Sequence, residues 1–571
     1  MPGLVGLTIG STASAQAQAA LQAMQAAIRH YNTYAVDTPY CDTALCATRC
    51  HTTTLQPAAQ PHGDDGLFVW LEGEFYNRTE IDPDASTDPQ LLLTLYRQET
   101  FRKRLGEIDG LYTAVVYDAP AQQLHLISDR YGLRPLYWTV HQQNLAWASE
   151  AKALWALPGF SLRIDRRALD VFLGVGYLHD NLTWFEGIQR LPAACVLTWD
   201  LRAGTSTTQR YWWWDKIVPI YQPNEDELAA ELGALFTAGV ERRCQPPERV
   251  GLVLSGGLDS RAILAALPDT SFPTLTFGRA NSPDSRIAAR AADLKGVEHH
   301  CFDIDAENWL APRLDSVWWS DGMLDLMHMH SIEAVQHIKS LFTFSLNGAG
   351  GDGLAGGGHL FDAADLAHHL EYRLGVDTTA HPDLLTDLES YFARLGSAHA
   401  FYVDHRMRSF GLFALMLGTF HGLEYRLPFM DNNFQQLLYA VPDHLKRGNH
   451  LYRKMLLHAF PQFYRRIPWQ STGVPITWPR WAGRARRALR RGNTSFVDYA
   501  NWLRQEPAHS LIDKILHNPA ALYPEYIPRQ EVHRAWAEHS NHSDRSAVLC
   551  RYLTFEVLLQ QVFEKKWRPS T

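Results

Sequence analysis

Residues 250–264 read VGLVLSGGLDSRAIL: an apolar run, a break of two glycines and an aspartate between two serines, then apolar residues again. A strand closing in VLSGGLDS and passing into the helix RAILAAL sets small residues and unpaired backbone N–H groups at a helix N-terminus. Such a turn receives anions. It is not a Walker loop, because no GK[ST] follows, and it is not the GxGxxG turn of dinucleotide sites. Ser255 and Ser260 add hydroxyl donors, whereas Asp259 repels a phosphate unless a cation stands between them, so Asp259 implies Mg2+. A glycine turn needed only for tight strand-to-helix packing would select neither the serines nor the aspartate.

Outward from this break the chain changes character twice. From YQPNEDELAAELGALFTAGVERRC (221–244) onward helical periodicity dominates, and strands such as RVGLVL and FPTLTFG are each followed by a helix, which predicts a parallel α/β sheet. Before it, GLFVWLEGEF, LYTAVVYDA, QQLHLISDR and LAWASE are short, aromatic or β-branched and separated by turn residues. They predict a β-rich domain of antiparallel sheets flanked by two helical stretches, AQAQAALQAMQAAIRHY and DPQLLLTLYRQETFRKRL. DKIVPIYQPNEDE (215–227) reads as a linker. The expected organisation is therefore a front domain over 1–212, a linker over 213–228 and a rear domain over 229–571.

Composition fits this. A chain of 571 residues exceeds one ordinary core, and 46% hydrophobic with 20% charged residues is globular. A net charge of -8 gives no chain-wide attraction for nucleic acid, and no run approaches the roughly 18 apolar residues of a membrane span. Seven scattered cysteines fit reduced thiols in a cytoplasmic protein. The opening MPGLVGLTIGSTASAQA carries a secretory-like ASA but no basic n-region, and is given to a first strand.

SGGLDS resembles the pyrophosphate loop of the ATP-pyrophosphatase superfamily, and three further stretches are similar to asparagine synthetases. FGRANSPDSRIAARAADLKGVEHH resembles the next strand-helix unit, LNGAGGDGLAGG the family's SGEGxDExxGG loop, and EYRLPFMD its ExRxPFLD. The resemblance implies that ATP is cleaved to AMP and PPi, that Asp259 and Asp352 hold Mg2+, and that Ser255, Gly256, Gly257 and Ser260 cradle pyrophosphate. Leu254, Phe277 and Gly278 at strand ends are the expected adenine contacts, and Gly350 lies in the second loop.

The front half resembles the same family's glutamine-hydrolysing domain through ISDRYGLRPLYW, WASEAKAL and WFEGIQRLPA, which implies a sandwich of two antiparallel sheets. It has lost that chemistry. The family's nucleophilic cysteine follows the initiator Met, whereas here Met1 is followed by Pro2 and Gly3, neither of which can attack an amide. Where the family carries NGEIYN this chain has LEGEFYN, so Glu72 stands at the oxyanion-stabilising asparagine, and a carboxylate repels an oxyanion. Arg49 and Asp88 match positions that hold the glutamine's α groups. Cys41, Cys46 and Cys50 beside His51 do not have a recognised metal spacing.

A synthetase half without its own ammonia resembles β-lactam synthetases and lasso peptide cyclases, both of which close a ring by amide formation. Ala349 replaces a family glutamate, which disfavours free aspartate as substrate and an ammonia-dependent asparagine synthetase; nor does alanine supply the tyrosine expected of β-lactam synthetases. Ser471, in PWQSTGVP, replaces the family's lysine. The reading carried forward is a lasso peptide cyclase acting on a precursor peptide, with a leader peptidase and a leader-recognition protein as implied partners; a non-catalytic scaffold is the reading of another class. Glu424 is a candidate general base or its orienter, or a structural partner of a neighbouring arginine. Lys446, Arg453 and Lys454 are candidates for the missing lysine charge. The histidines of HMH (328–330), the eighteen tryptophans and the basic RWAGRARRALRRG (480–492) either serve a peptide surface or are ordinary core and solvated faces.

Overall fold

The computed structural model describes residues 3–10, 14–245, 248–361, 366–369, 371, 382–488 and 495–569. Met1 and Pro2 lie outside them, as does the end of the basic segment beyond residue 488.

The front half is built on two antiparallel sheets. One runs Gln189–Arg190, Tyr137–His141, Asn144–Ala148, Gly3–Thr8, Leu45–His51, Ala35–Val36, with Tyr40–Cys41 also on Leu45–His51. The other runs Thr205–Arg210, Cys195–Asp200, Gln123–Ser128, Gly110–Asp118, Leu67–Phe75, His62–Asp64. One apolar cluster draws Leu4, Ala47 and Trp147 from the first sheet and Trp70, Val115, Leu126 and Leu197 from the second, so alternate side chains of both strand sets share one dry layer. The opening GLVGLT is a fully buried inner strand of the first sheet. The expected second helix is two: Asp88–Tyr96, capped by the Thr87 hydroxyl, and Phe101–Leu105.

The rear half carries a five-stranded parallel sheet in the order His299–Asp303, Thr274–Gly278, Val250–Val253, Phe344–Leu346, Glu424–Arg426. Its helices start where the sequence supplies caps. Asn224 accepts from the N–H groups of Asp226 and Glu227 to open Glu225–Arg242, and three acidic residues fill that helix's first turn. Ser282 and Pro283 open Pro283–Lys295, which closes on Gly296 at φ 79°. Among the described residues no helix is long and apolar enough to cross a membrane.

Two expectations change. Cys41 and Cys46 face each other across the hairpin with Cα atoms 4.2 Å apart and are joined as a disulfide, while Cys50, Cys195, Cys244, Cys301 and Cys550 are free. Most tryptophans are core rather than peptide surface: ten are buried, and only Trp478, Trp481 and Trp567 are well exposed among those described.

Candidate active site

Parallel strands deliver their C-terminal ends to one edge of a sheet, and loops there form the site. Val250–Val253 ends in Leu254, and the helix Asp259–Ala266 leaves in the opposite sense. Between them the loop is tied to itself: the Ser255 N–H donates to Ser260 Oγ at 3.0 Å, the two hydroxyls are 2.8 Å apart, and the Gly257 N–H donates to Ser255 Oγ at 3.2 Å. Asp284 accepts the Gly256 N–H at 3.0 Å. Arg261, fully buried, donates to the carbonyls of Gly256 and Pro468, both at 2.9 Å, which bolts the loop to the segment carrying Ser471. The Gln470 N–H reaches Gly256 O at 3.3 Å, so PWQSTGVP does lie beside the loop, with Ser471 exposed.

Asp259 meets the second loop directly. The Asp352 N–H donates to Asp259 Oδ2 at 2.9 Å, and Tyr452 donates its hydroxyl to Oδ1 at 2.7 Å. This closeness explains the glycines: a Cβ on Gly351 would sit 2.3 Å from Asp259 Cγ, and one on Gly348 2.9 Å from Asp259 Cβ. Burial, then the Asp352 charge, push the Asp259 carboxyl up to about 7. A carboxyl raised by burial beside a second carboxylate is a donor set a divalent cation relieves, and Mg2+ needs only one or two protein carboxylates when phosphates and water complete its shell. Among the described residues no group of three or more ligating side chains offers a closed metal site.

A cavity of about 420 Å³ opens on this pair. Its floor is Asp259 and the turn Gly348–Gly353; its far wall is the π-helix Tyr402–Gly411, with Tyr402, His405, Arg406 and Phe410. Wide helical turns of this kind recur at functional sites. The Arg406 guanidinium lies 3.5 Å from the Phe410 ring centroid. His328 and His330 flank rather than line the cavity: His328 packs edge-on to Phe410 and pairs with Asp325 at 2.7 Å, and His330 contacts Tyr499.

The sequence matches this geometry to known proteins in both halves. Residues 1–212 match the glutamine amidotransferase domain family and residues 231–412 the asparagine synthase family. The chain is similar to asparagine synthetases. It is 25% identical over 494 residues to glutamine-hydrolyzing asparagine synthetases of Cricetulus griseus and Homo sapiens, covering 81% of this chain and 79% of each relative. A putative asparagine synthetase of Mycobacterium bovis is 26% identical over 321 residues, 52% of this chain and 48% of that protein.

Within this asparagine synthetase-like frame, the other sequence candidates separate. Phe277 and Gly278 end the neighbouring strand, where Phe496 covers them: the Arg279 N–H donates to Phe496 O at 2.7 Å. Leu254 is buried, its N–H bonded to Leu275 O and its carbonyl to the Thr276 hydroxyl, so it holds the strand pair instead of offering a free backbone edge. Gly350 turns the second loop at φ 91°. Arg453 donates to Ile476 O, beside the Ser471 segment. Lys454 faces away, 3.0 Å from Asp226 and 3.3 Å from Glu225, and the buried Lys446 pairs with Asp443 at 2.9 Å.

Glu424 is not brought to the loop. It begins its strand level with Phe344 and hence with Val250, at the N-terminal edge of the sheet, opposite the site. There Arg134 of the front half spans two buried carboxylates, Glu424 at 3.1 Å and Glu72 at 3.0 Å. Burial raises the Glu424 pKa against the pull of Arg134. Arg426 turns instead to Glu74 and Glu248, and Asp431 to Arg242 and Arg243.

In the front half the two residues matched to glutamine binding, Arg49 and Asp88, are held by protein partners, while a cavity of about 560 Å³ remains beside Gln56 and Asp88. Glu72 lies by the first strand, where a Cβ on Gly3 would be 3.4 Å from its Cγ. Arg49 is spent on Asp37 at 2.8 Å and on the carbonyls of Gln56 and Ala58. Asp88 accepts from the Gln56 side-chain amide at 2.6 Å and from Arg78 at 2.8 Å. Gln56, Arg134 and Tyr452 were not singled out from sequence. Tyr452 sits on the buried face Leu451, Tyr452, Met455, Leu456 of its helix, which reads as core; a glutamine in a loop carries no signal at all.

Proposed function

We propose that this chain closes an amide ring on a precursor peptide. The chain is an ATP-dependent carbon–nitrogen ligase, and the finer reading rests on one observation: the cavity at Asp259 is walled by aromatic rings, an arginine and two histidines, a lining that suits a peptide. A side-chain carboxylate of the peptide attacks the α-phosphorus of ATP, pyrophosphate leaves, and the peptide's own N-terminal amine then displaces AMP to form the amide. The peptide's fold brings amine and acyl group together, so the enzyme supplies enclosure and orientation. Ser255, Ser260 and the start of the helix Asp259–Ala266 would receive pyrophosphate, and Asp259 with Asp352 would hold Mg2+, which offsets the charge of the phosphates. Tyr452 fixes the Asp259 carboxylate. Arg453 is the candidate nearest the Ser471 segment to supply the missing positive charge. Supply of ATP assigns the reaction to the cytosol.

The similarity to asparagine synthetases favours a second reading, asparagine formation from aspartate and free ammonia. The two separate in one assay. Purified protein with ATP and Mg2+ should release AMP and PPi with leaderless peptides bearing an internal Asp or Glu, and not with aspartate and ammonia. Asparagine formation with no peptide turnover would replace the first reading by the second.

A further inference from the structure

A second cavity, of about 610 Å³, lies between the two halves and belongs to neither site described above. Five cations line it from the front side, Arg102, Lys103, Arg130, Arg210 and Lys216, while Arg242, from the helix Glu225–Arg242, borders it already paired with Asp431 at 2.7 Å, Glu80 at 3.1 Å and Asp109 at 3.4 Å. The two acids in its wall are already engaged, Glu107 by Arg104 at 2.8 Å and Asp109 by Arg243 at 3.0 Å.

Arg130 makes this more than a basic patch. It is 4% exposed, its guanidinium lies 3.7 Å from the Trp212 ring centroid, and its Nε has no hydrogen-bond partner among the described residues. Rings surround it, Trp212 and Tyr131, where a buried charge ordinarily has a carboxylate. The adjacent Asp129 is turned to the N–H groups of Tyr131, Leu133 and Arg134. A buried cation with an unpartnered Nε among four others is unfavourable until an anion enters.

We propose that this interdomain cavity binds a small multivalent oxyanion of polyphosphate chemistry, free or carried by a nucleotide. Guanidinium groups pair with phosphate oxygens two at a time. Asn433 and Gln436 add neutral donors from the rear half, so the ligand touches both domains. Five cations around one hollow match several negative charges held within a few ångströms, as in triphosphate, better than carboxylates spaced roughly 3.3 Å per residue along an extended peptide. The volume suits a small-molecule site. Because no free acidic pair is present, binding does not require a metal, unlike binding at Asp259.

Calorimetric titration of tripolyphosphate into the full chain in EDTA tests this. One saturable site is expected, weakened at least tenfold by Arg130→Gln and by the surface double variant Arg102→Ala/Lys103→Ala, and unchanged by Asp259→Asn; ATP should compete. The double variant alters exposed side chains only, so misfolding cannot stand in for lost binding. Absence of saturable binding, equal binding by both variants and wild type, or tighter binding of hexaglutamate than of tripolyphosphate would each overturn the proposal. The reaction proposed above is not involved in this readout.

Discussion

Replacing Arg134 by methionine removes the one cation between Glu72 and Glu424, whose contacts are 3.0 and 3.1 Å and whose side chains are each 4% exposed. Methionine fills most of the volume, so the loss is mainly electrostatic. Removing one partner of a buried pair costs about 3–5 kcal/mol. Here two carboxylates are stranded, and they limit the cost by taking up protons, since burial already raises Glu424. A carboxylate whose folded pKa lies above its unfolded value destabilises the fold as pH rises, so the penalty should be larger at pH 8 than at pH 5. Urea unfolding followed by tryptophan fluorescence at both values reads this directly. Glu424→Gln should cost less, about 1.5–3 kcal/mol, and leave PPi release intact well below the unfolding midpoint. If Glu424→Gln keeps the wild-type urea midpoint but abolishes amide formation, Glu424 is catalytic and its placement as a structural partner is wrong.

Other outcomes follow from the same contacts. Tyr452→Phe removes the hydroxyl that holds Asp259 Oδ1, and PPi release should fall by about tenfold with little change in melting temperature, the worth of one charge-assisted bond. Gly351→Ala places a methyl 2.3 Å from Asp259 Cγ and should abolish ATP turnover while the circular dichroism spectrum is retained. Acid should weaken the fold: burial pushes His125, His359 and His421 each down to about 4, so they stay neutral inside while the unfolded chain takes up protons. Their contribution, ~3 kcal/mol each at most, is complete above pH 6.5 and is lost as pH falls toward 4; urea midpoints that do not drop over this window would contradict it.

Much of the site was legible because its demands are local. VLSGGLDS must be a strand, a turn and a helix start, which marks Asp259, whereas Asp352 is marked by the resemblance of LNGAGGDGLAGG to a family loop. The parallel sheet followed from strand-helix alternation, and the β-rich front half from its short aromatic runs. What the sequence hid is tertiary. Glu424 lies in a motif near the site in order but at the other end of its strand in space, and Arg134, its partner, is 290 residues away. Lys446, Arg453 and Lys454 are alike as a run of basic residues; only folding points Lys454 to Glu225 and Asp226 and Arg453 to Ile476. Gln56 engages Asp88 from a loop conformation, φ 46°, that no pattern announces.

The central claim is that the carboxylate activated at Asp259 belongs to a peptide and that the amine is the peptide's own. Incubating the protein with ATP, Mg2+ and a leaderless peptide bearing an N-terminal glycine and an internal Asp or Glu, then fragmenting the product in a mass spectrometer, measures this. We expect a product lighter by one water, its fragments joined from the N-terminus to the acidic side chain, with AMP formed in equal amount and none formed by Asp259→Asn. AMP formation with aspartate and ammonia, and no dehydrated peptide, would contradict it.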